Sequence, residues 1–370
     1  MQRSEDAPDR PNRAAKAAGF TLPRAANAAG FTLPPAANAA GFTLIEMLLV
    51  LCIIGVLMGI AIGAFRHSIP AQALARNAVV DSLRQAKLFA MQENATALVR
   101  LDVPAGEIPS VTAIGKKTVA TWHLEGEELS GFPIDAHGEG YVEEPAGAVG
   151  KAVRLAASGT AWLDFGISPS FDSPFGCACE FFLESDAPRN LPLLTKGKGF
   201  LLKSESDGSL KLTVRVKDHD EKGDPKETFR TVDTGRAVLA SGRFVKIAAG
   251  YDGLALRLVV DDVVVAETPL VKPLAFAFDR EAPLLFGSYE QPAGVAVDEL
   301  KWAIYDGVAR DLSDMELNDP LTFVRFAPDG SLDPQFHSGP VELCLRAVSV
   351  PPEPPGPESW VRVGMLGDIH

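Results

Sequence analysis

The stretch Gly41-Phe-Thr-Leu-Ile-Glu46, with the run behind it, constrains this chain more than anything else in its 370 residues. From Met47 to Phe65 there are nineteen residues without a charge, MLLVLCIIGVLMGIAIGAF. That is long enough to cross a bilayer core as a helix. A carboxylate, Glu46, stands directly before the run, where a membrane helix tolerates one only with a partner or a function. Gly55, Gly59 and Gly63 recur every fourth residue and line one helical face, a spacing that lets helices pack closely in lipid. The general glycine content of membrane helices explains that spacing equally well.

An ordinary secretory signal would also pair a basic leader with an apolar stretch, but its cleavage site should follow the stretch in an A-x-A pattern. After Phe65 comes Arg-His-Ser-Ile-Pro, which has no such pattern. A plain membrane anchor explains the apolar run but neither GFTL nor Glu46. The combination resembles the class III signal of type IV pilins and type II secretion pseudopilins. That resemblance implies that a prepilin peptidase cuts between Gly41 and Phe42 and that the new amine of Phe42 is methylated. It also implies that Glu46 meets the N-terminal amine of a neighbouring subunit during assembly.

The net charge of −13 is unevenly placed. Through Gly41 the basic residues Arg3, Arg10, Arg13, Lys16 and Arg24 outnumber Glu5, Asp6 and Asp9. A basic leader before the run and an acidic body after it place the C-terminal part outside the cytoplasm by the positive-inside rule. The expected location is therefore the inner membrane, single-pass, with extracytoplasmic domains. The acidic body offers no basic stripe for phosphates, so nucleic acid is not an expected partner. Of the cysteines, Cys52 lies in the apolar run, and Cys177 and Cys179 would share a strand face, poorly placed to bond each other. Buried thiols are the expectation, with a bridge from Cys344 to Cys177 or Cys179 the alternative in an oxidising compartment.

The leader repeats itself with an eleven-residue period: AAKAAGFTLPR, AANAAGFTLPP and AANAAGFTLIE begin at Ala14, Ala25 and Ala36. Only the third copy has the glutamate and the apolar run, while Pro23 and Pro34 close the earlier ones. Beyond Pro70 the helix is expected to continue in amphipathic form. Leu74, Val79, Leu83, Ala86 and Ala90 would form its buried face, and Asn94 would stop it.

From Ala95 the pattern changes to strands. LRQAKLFAMQENATALVRLDV resembles the segment joining helix to first strand in the minor pseudopilins of the H type and their fimbrial relatives. LTFVRFAPDGSL (321–332), VELCLRAV (341–348) and SWVRVGMLGDI (359–369) resemble the last strands of that family. The head therefore looks split around an insertion. Within it, TVATWHLEG, GKAVRLAASGTAWLDFG, CACEFFLES, GRFVKIAAGYDGLALRLVVDDVVVAE and PLLFGSYEQPAGVAVDELKWAIYDGVARDLSDME occur in order. Together they resemble the LamG-like, concanavalin A-like jelly roll. Independently, LKLTVRV (210–216) and LALRLVV (254–260) alternate as half-buried strands, with turns at Asp207-Gly208 and Asp252-Gly253. Asp261-Asp262 stands where a DG turn is usual, and DHDEKGDPKETFR (218–230) reads as a solvated loop.

The expected fold is α+β: a long N-terminal transmembrane and amphipathic helix, then a small β-rich pseudopilin head split by an antiparallel β-sandwich. The expected domains are leader 1–41, helix 42–94, first head part 95–116, jelly roll 117–316 and second head part 317–370. Catalytic residues are not expected. Glu125, Glu127 and Glu128 come closest to a carboxylate pair but lie beside a glycine-rich loop, and His123, His137, His219 and His337 form no H-x-x-x-H pattern. Asp252, Asp261, Asp262 and Asp298 could supply oxygen to calcium if their loops converged, but aspartate is also a preferred turn former. Otherwise no cofactor is expected.

The function expected is a structural, non-enzymatic subunit of a pilus-like fibre. Its partners would be prepilin peptidase, other pilin or pseudopilin subunits, the membrane, and a glycan or secreted protein bound by the jelly roll. The alternatives are a membrane-anchored carbohydrate-binding protein outside any fibre and, behind it, a glycan hydrolase.

Overall fold

The computed structural model describes residues 44–68, 71–102, 109–124, 134–139, 141–144, 146–186, 189–219, 224–239, 241–312, 315–317, 322–347 and 358–370. The chain divides into two compact units, Met1–Phe65 and Arg66–His370.

The first unit holds most of helix α1 (Leu44–Ser68), which forms where the uncharged run predicts it. Every side chain from Leu44 to Met58 is exposed. The side-chain surroundings from Gly59 to Ser68 lie outside the described ones. Among the described residues no helix is long and apolar enough to cross a membrane.

The second unit begins with α2 (Ala71–Gln92). Its buried stripe runs through Ala75, Val79, Leu83, Ala86 and Ala90. Leu74, expected on that stripe, is 53% exposed. Position 75, one step of about 100° further round, lies four residues before Val79 and continues the row. The helix stops as expected at Asn94, whose φ of 44° is the left-handed conformation of a helix end. The amide of Ala95 then donates to the Ala90 carbonyl at 3.1 Å.

The strands follow in chain order. β1 (Ala97–Asp102) and β2 (Ser110–Trp122) open the β structure. Next come β3 (Asp135–Gly138), β4 (Tyr141–Glu144), β5 (Ala152–Leu155), β6 (Ala161–Asp164), β7 (Cys177–Ser185), β8 (Leu191–Lys196) and β9 (Phe200–Ser204). They are followed by β10 (Leu210–His219), β11 (Pro225–Asp233), β12 (Val245–Tyr251), β13 (Ala255–Val260), β14 (Val263–Pro269), β15 (Ala275–Phe276) and β16 (Leu284–Gly287). The last are β17 (Val295–Asp311), β18 (Met315–Leu317), β19 (Phe323–Phe326), β20 (Val341–Ala347) and β21 (Glu358–Val363).

Two antiparallel sheets make the sandwich that the alternating segments imply. One runs β14-β13-β12-β7-β17, with β5 and β4 beside the start of β17; the other runs β11-β10-β9-β8-β16-β6-β3. Their inner residues form one apolar core that includes Trp122, Phe181, Phe200, Phe286 and Trp302. β10 shows the period-2 pattern most plainly, with Leu210, Leu212, Val214 and Val216 buried and the residues between them less so. The loop expected over 218–230 is instead mostly strand. β11 pairs with β10 from Lys211↔Asp233 to His219↔Pro225. Polar side chains suit β11 because it is an edge strand, where charge discourages further pairing.

The sheet containing β17 does not end at the sandwich. Past Leu300, β17 pairs with β2 as far as Asp311↔Ser110, and β2 passes on to β1 and then β19. One ten-stranded sheet therefore serves two cores. The second core lies where α2 and the three-stranded sheet β18-β20-β21 cover β1, β2 and β19. Strand β2 passes through position 117, where the jelly roll was expected to begin, without a break, and position 316 lies within β18.

Candidate functional site

Two places carry the residues singled out from the sequence: the start of α1 and the junction between sandwich and head. Gly41 and Phe42 lie outside the described residues. Glu46 occupies the first turn of α1, where the helix dipole favours a negative charge. Around it the exposed side chains are apolar on every side of the helix from Leu44 to Met58 apart from Glu46 itself. A helix apolar all round must be covered by lipid or by other helices. Gly55 leaves open space where a Cβ would stand, with nothing within 4 Å. Gly59 and Gly63 continue the same helix, with side-chain surroundings outside the described ones.

At the junction lies one of the four aspartates weighed between turn former and calcium ligand, Asp252. Asp252 follows β12 and turns the chain, accepting from the amides of Leu254 at 3.0 Å and Ala255 at 2.7 Å. Its second oxygen accepts from Thr96 Oγ1 at 2.9 Å and from Arg325 Nη2 at 2.6 Å. Arg325, on β19, is fully buried and also lies 3.1 Å from Asp333 and 3.5 Å from Glu267. Its guanidinium sits 4.5 Å from the centre of the Phe336 ring, and its amide donates to His337 Nε2 at 2.9 Å. Sandwich residues Asp252 and Glu267 are thereby tied to head residues Thr96, Arg325 and Asp333. Around the tie, Leu98, Ile114, Leu254, Ala303 and Tyr305 form a small apolar cluster.

Burial would raise the Asp252 carboxyl, but the Arg325 guanidinium and the two amides more than offset it, leaving the pKa below the ordinary aspartate value. Burial holds the His337 imidazole below its ordinary pKa, with Asp333 opposing and Arg325 reinforcing. A neutral ring is also what accepting an amide hydrogen requires.

The other acids sit apart. Asp261 and Asp262, with φ of 48° and 62°, form the β13–β14 turn with two left-handed residues, as a tight hairpin requires. Arg243 and Lys246 pair with them at 2.8 Å each. Asp298 is buried at a bulge in β17 and accepts from the Val149 amide at 2.8 Å, while its Oδ1 lacks a hydrogen-bond partner. Burial raises its pKa, partly countered by that amide. Among the described residues no three acidic, histidine or cysteine side chains gather to hold a metal.

The histidines are dispersed. His123 meets Glu299 at 2.7 Å, His137 stacks on Trp162, and His219 ends β10. Glu125, Glu127 and Glu128 lie outside the described residues. Cys177, Cys179 and Cys344 are buried and Cys52 is exposed, with no disulfide among them. Burial pushes the Cys179 thiol up to about 12, which removes thiolate reactivity at neutral pH.

A cleft of about 460 Å³ opens between the α2–β1 turn and the outer face of β7, β12 and β13. Ala178, Ala248 and Gly250 line it, and Lys246 at its side pairs with Asp262 and, at 3.6 Å, with Glu180. Small side chains under paired charges supply shape rather than a reactive group. The Arg325 cluster escaped the sequence reading because its partners are brought together from distant segments. Its one local trace is an arginine inside the otherwise apolar strand FVRF.

Comparison with known families matches residues 36–62 to the prokaryotic N-terminal methylation motif. No curated protein matches the chain. Among solved structures, the chain is similar to the binding domain of Paraclostridial Mosquitocidal Protein 1, with 14% identity and a TM-score of 0.39 over 50% of this chain and 48% of that one. It is also similar to domain 4 of an extracellular arabinanase from Geobacillus stearothermophilus, with 14% identity and a TM-score of 0.39 over 54% and 96%. For the botulinum neurotoxin serotype D binding domain the values are 8% and 0.36, over 50% and 47%. The chain spans about half the length of the mosquitocidal and neurotoxin binding domains.

Proposed function

We propose that the chain is a prepilin-like subunit, cut by prepilin peptidase between Gly41 and Phe42 and methylated on Phe42. It assembles through α1 into a type II secretion pseudopilus or type IV pilus-like fibre. One observation carries this reading: the methylation motif ends within α1, whose first turn carries Glu46 just beyond the cut. In lipid a carboxylate needs a charged partner, and the amine of a neighbouring Phe42 supplies one. Before assembly the subunit is anchored in the inner membrane with head and sandwich outside the cytoplasm. Gly55, Gly59 and Gly63 let α1 approach its neighbours closely. The sandwich is a non-enzymatic binding module for a glycan or a secreted protein.

Intact mass and N-terminal peptide mapping of the membrane-fraction protein test the processing step. The expected chain starts at methylated Phe42, and an uncleaved chain overturns the reading. Glu46→Ala should insert in the membrane and fail to join fibres; unimpaired incorporation removes the role given to Glu46.

A further inference from the structure

Trp122 and Trp302 are fully buried in the sandwich core, but Trp162 is not. It points outward from β6, between β3 and β16, where the register sets His137 on one side and Gly287 on the other. The His137 ring stacks on Trp162 with centroids 5.2 Å apart and planes 18° from parallel. The Tyr289 ring, 62% exposed, meets Trp162 edge-on at 6.1 Å. Single exposed aromatics are ordinary, but His137 and Tyr289 each packed against Trp162 on one outer sheet face make a platform. β3 holds its place tightly, since a Cβ on Gly138 would lie 1.9 Å from the Thr160 carbonyl oxygen.

The next pair along the same face is Asp135↔Asp164. Like charges directly opposite in a ladder destabilise a sheet. Asp164 Oδ1 already accepts from the Gly166 amide at 2.7 Å, which leaves its other oxygen and the exposed Asp135 carboxylate for a ligand that presents hydroxyl or ammonium donors.

We propose that this edge of the eight-stranded sheet binds a pyranose ring that carries no negative charge, either a neutral hexose or a hexosamine. The C–H face of the ring packs into the corner between Trp162 and the exposed Tyr289, whose planes stand 71° apart, and its polar rim donates to Asp135 and Asp164. The same carboxylates repel uronates and sialic acids. This deepens the proposed function and rests on the sandwich being a binding module.

Calorimetry on the full chain in a non-glycosidic detergent tests it, with cellohexaose, chitosan hexamer and hexagalacturonate as probes. Cellohexaose or chitosan hexamer should bind and hexagalacturonate should not. Trp162→Ala should weaken binding at least tenfold, and Tyr289→Ala, at a more exposed position, several-fold with an unchanged melting temperature. Asp164→Asn should weaken chitosan binding more than cellohexaose binding. The proposal is overturned if neither probe binds, if hexagalacturonate binds equally well, or if both aromatic variants bind like the parent. A chain that joins fibres yet binds neither probe defeats this proposal and leaves the fibre reading standing.

Discussion

Replacing Arg325 by methionine removes the positive charge at the junction but keeps much of the side chain's volume. Asp252 and Asp333 then lose their guanidinium partner at side-chain exposures of only 9% and 10%, while Glu267 keeps Arg257 at 2.7 Å. Breaking a buried pair from one side costs about 3–5 kcal/mol, because the remaining charge is left unsolvated. For a unit of this size that is a fall of about 6–10 °C in melting temperature. Calorimetry of the detergent-solubilised chain should show this loss at pH 7.5. Adding Asp252→Asn removes one stranded charge, so the double variant should be less unstable than the two single losses summed. Lowering the pH should narrow the gap to wild type, because stranded carboxylates in a buried site take up protons early. In the wild type the depressed Asp252 pKa means that its contribution persists above the ordinary aspartate value and is lost only as pH falls through the lower folded one. The reasoning fails if Arg325→Met costs less than about 1 kcal/mol or if the two substitutions simply add.

Other outcomes follow from the same geometry. Lys196 is 1% exposed, lies 3.3 Å from Asp172 and donates to the carbonyls of Asp279 and Ala282. Lys196→Met should cost about 3 kcal/mol by urea unfolding, the low end for a broken buried pair, because Asp172 is already shifted toward its protonated form. Gly176→Ala should cost about 2–3 kcal/mol in the same assay, since φ is +143° and a Cβ would lie 2.0 Å from the Tyr251 carbonyl oxygen. His337 has a depressed pKa, so the unfolded chain binds its proton first. Its contribution is present above about pH 6.5 and is lost as pH falls toward the folded value. His337→Gln, which retains an acceptor, should flatten the decline in melting temperature between pH 7 and 5.

Local signals survived folding well. The uncharged run became α1, the alternation of LKLTVRV became β10, and Asp252-Gly253 and Asp207-Gly208 became turns, with Gly253 and Gly208 at positive φ. What the sequence hid depends on partners far along the chain. Nothing local distinguishes Thr228, Arg230 and Val232, which alternate on β11, from a solvated loop until β10 pairs with them. The choice between Leu74 and Ala75 turned on the sheet that α2 meets, since the bulkier residue was the natural guess for the core. Trp162 sits in AWLD, where Ala161 and Leu163 are buried and Trp162 and Asp164 are not. That reversal of size and burial was a signal in plain sight.

The sharing of β2 and β17 by both cores bears on how the molecule carries load. A pull on the sandwich enters the head along strands that run unbroken from one core into the other. From Leu300↔Trp122 to Asp311↔Ser110 the two strands stay paired, with one register shift between Trp302 and Ala303, so both backbones carry the load side by side. A module joined by loops would swivel and unzip at its neck. This one would transmit tension stiffly, with the Arg325 cluster acting as a rivet beside the seam.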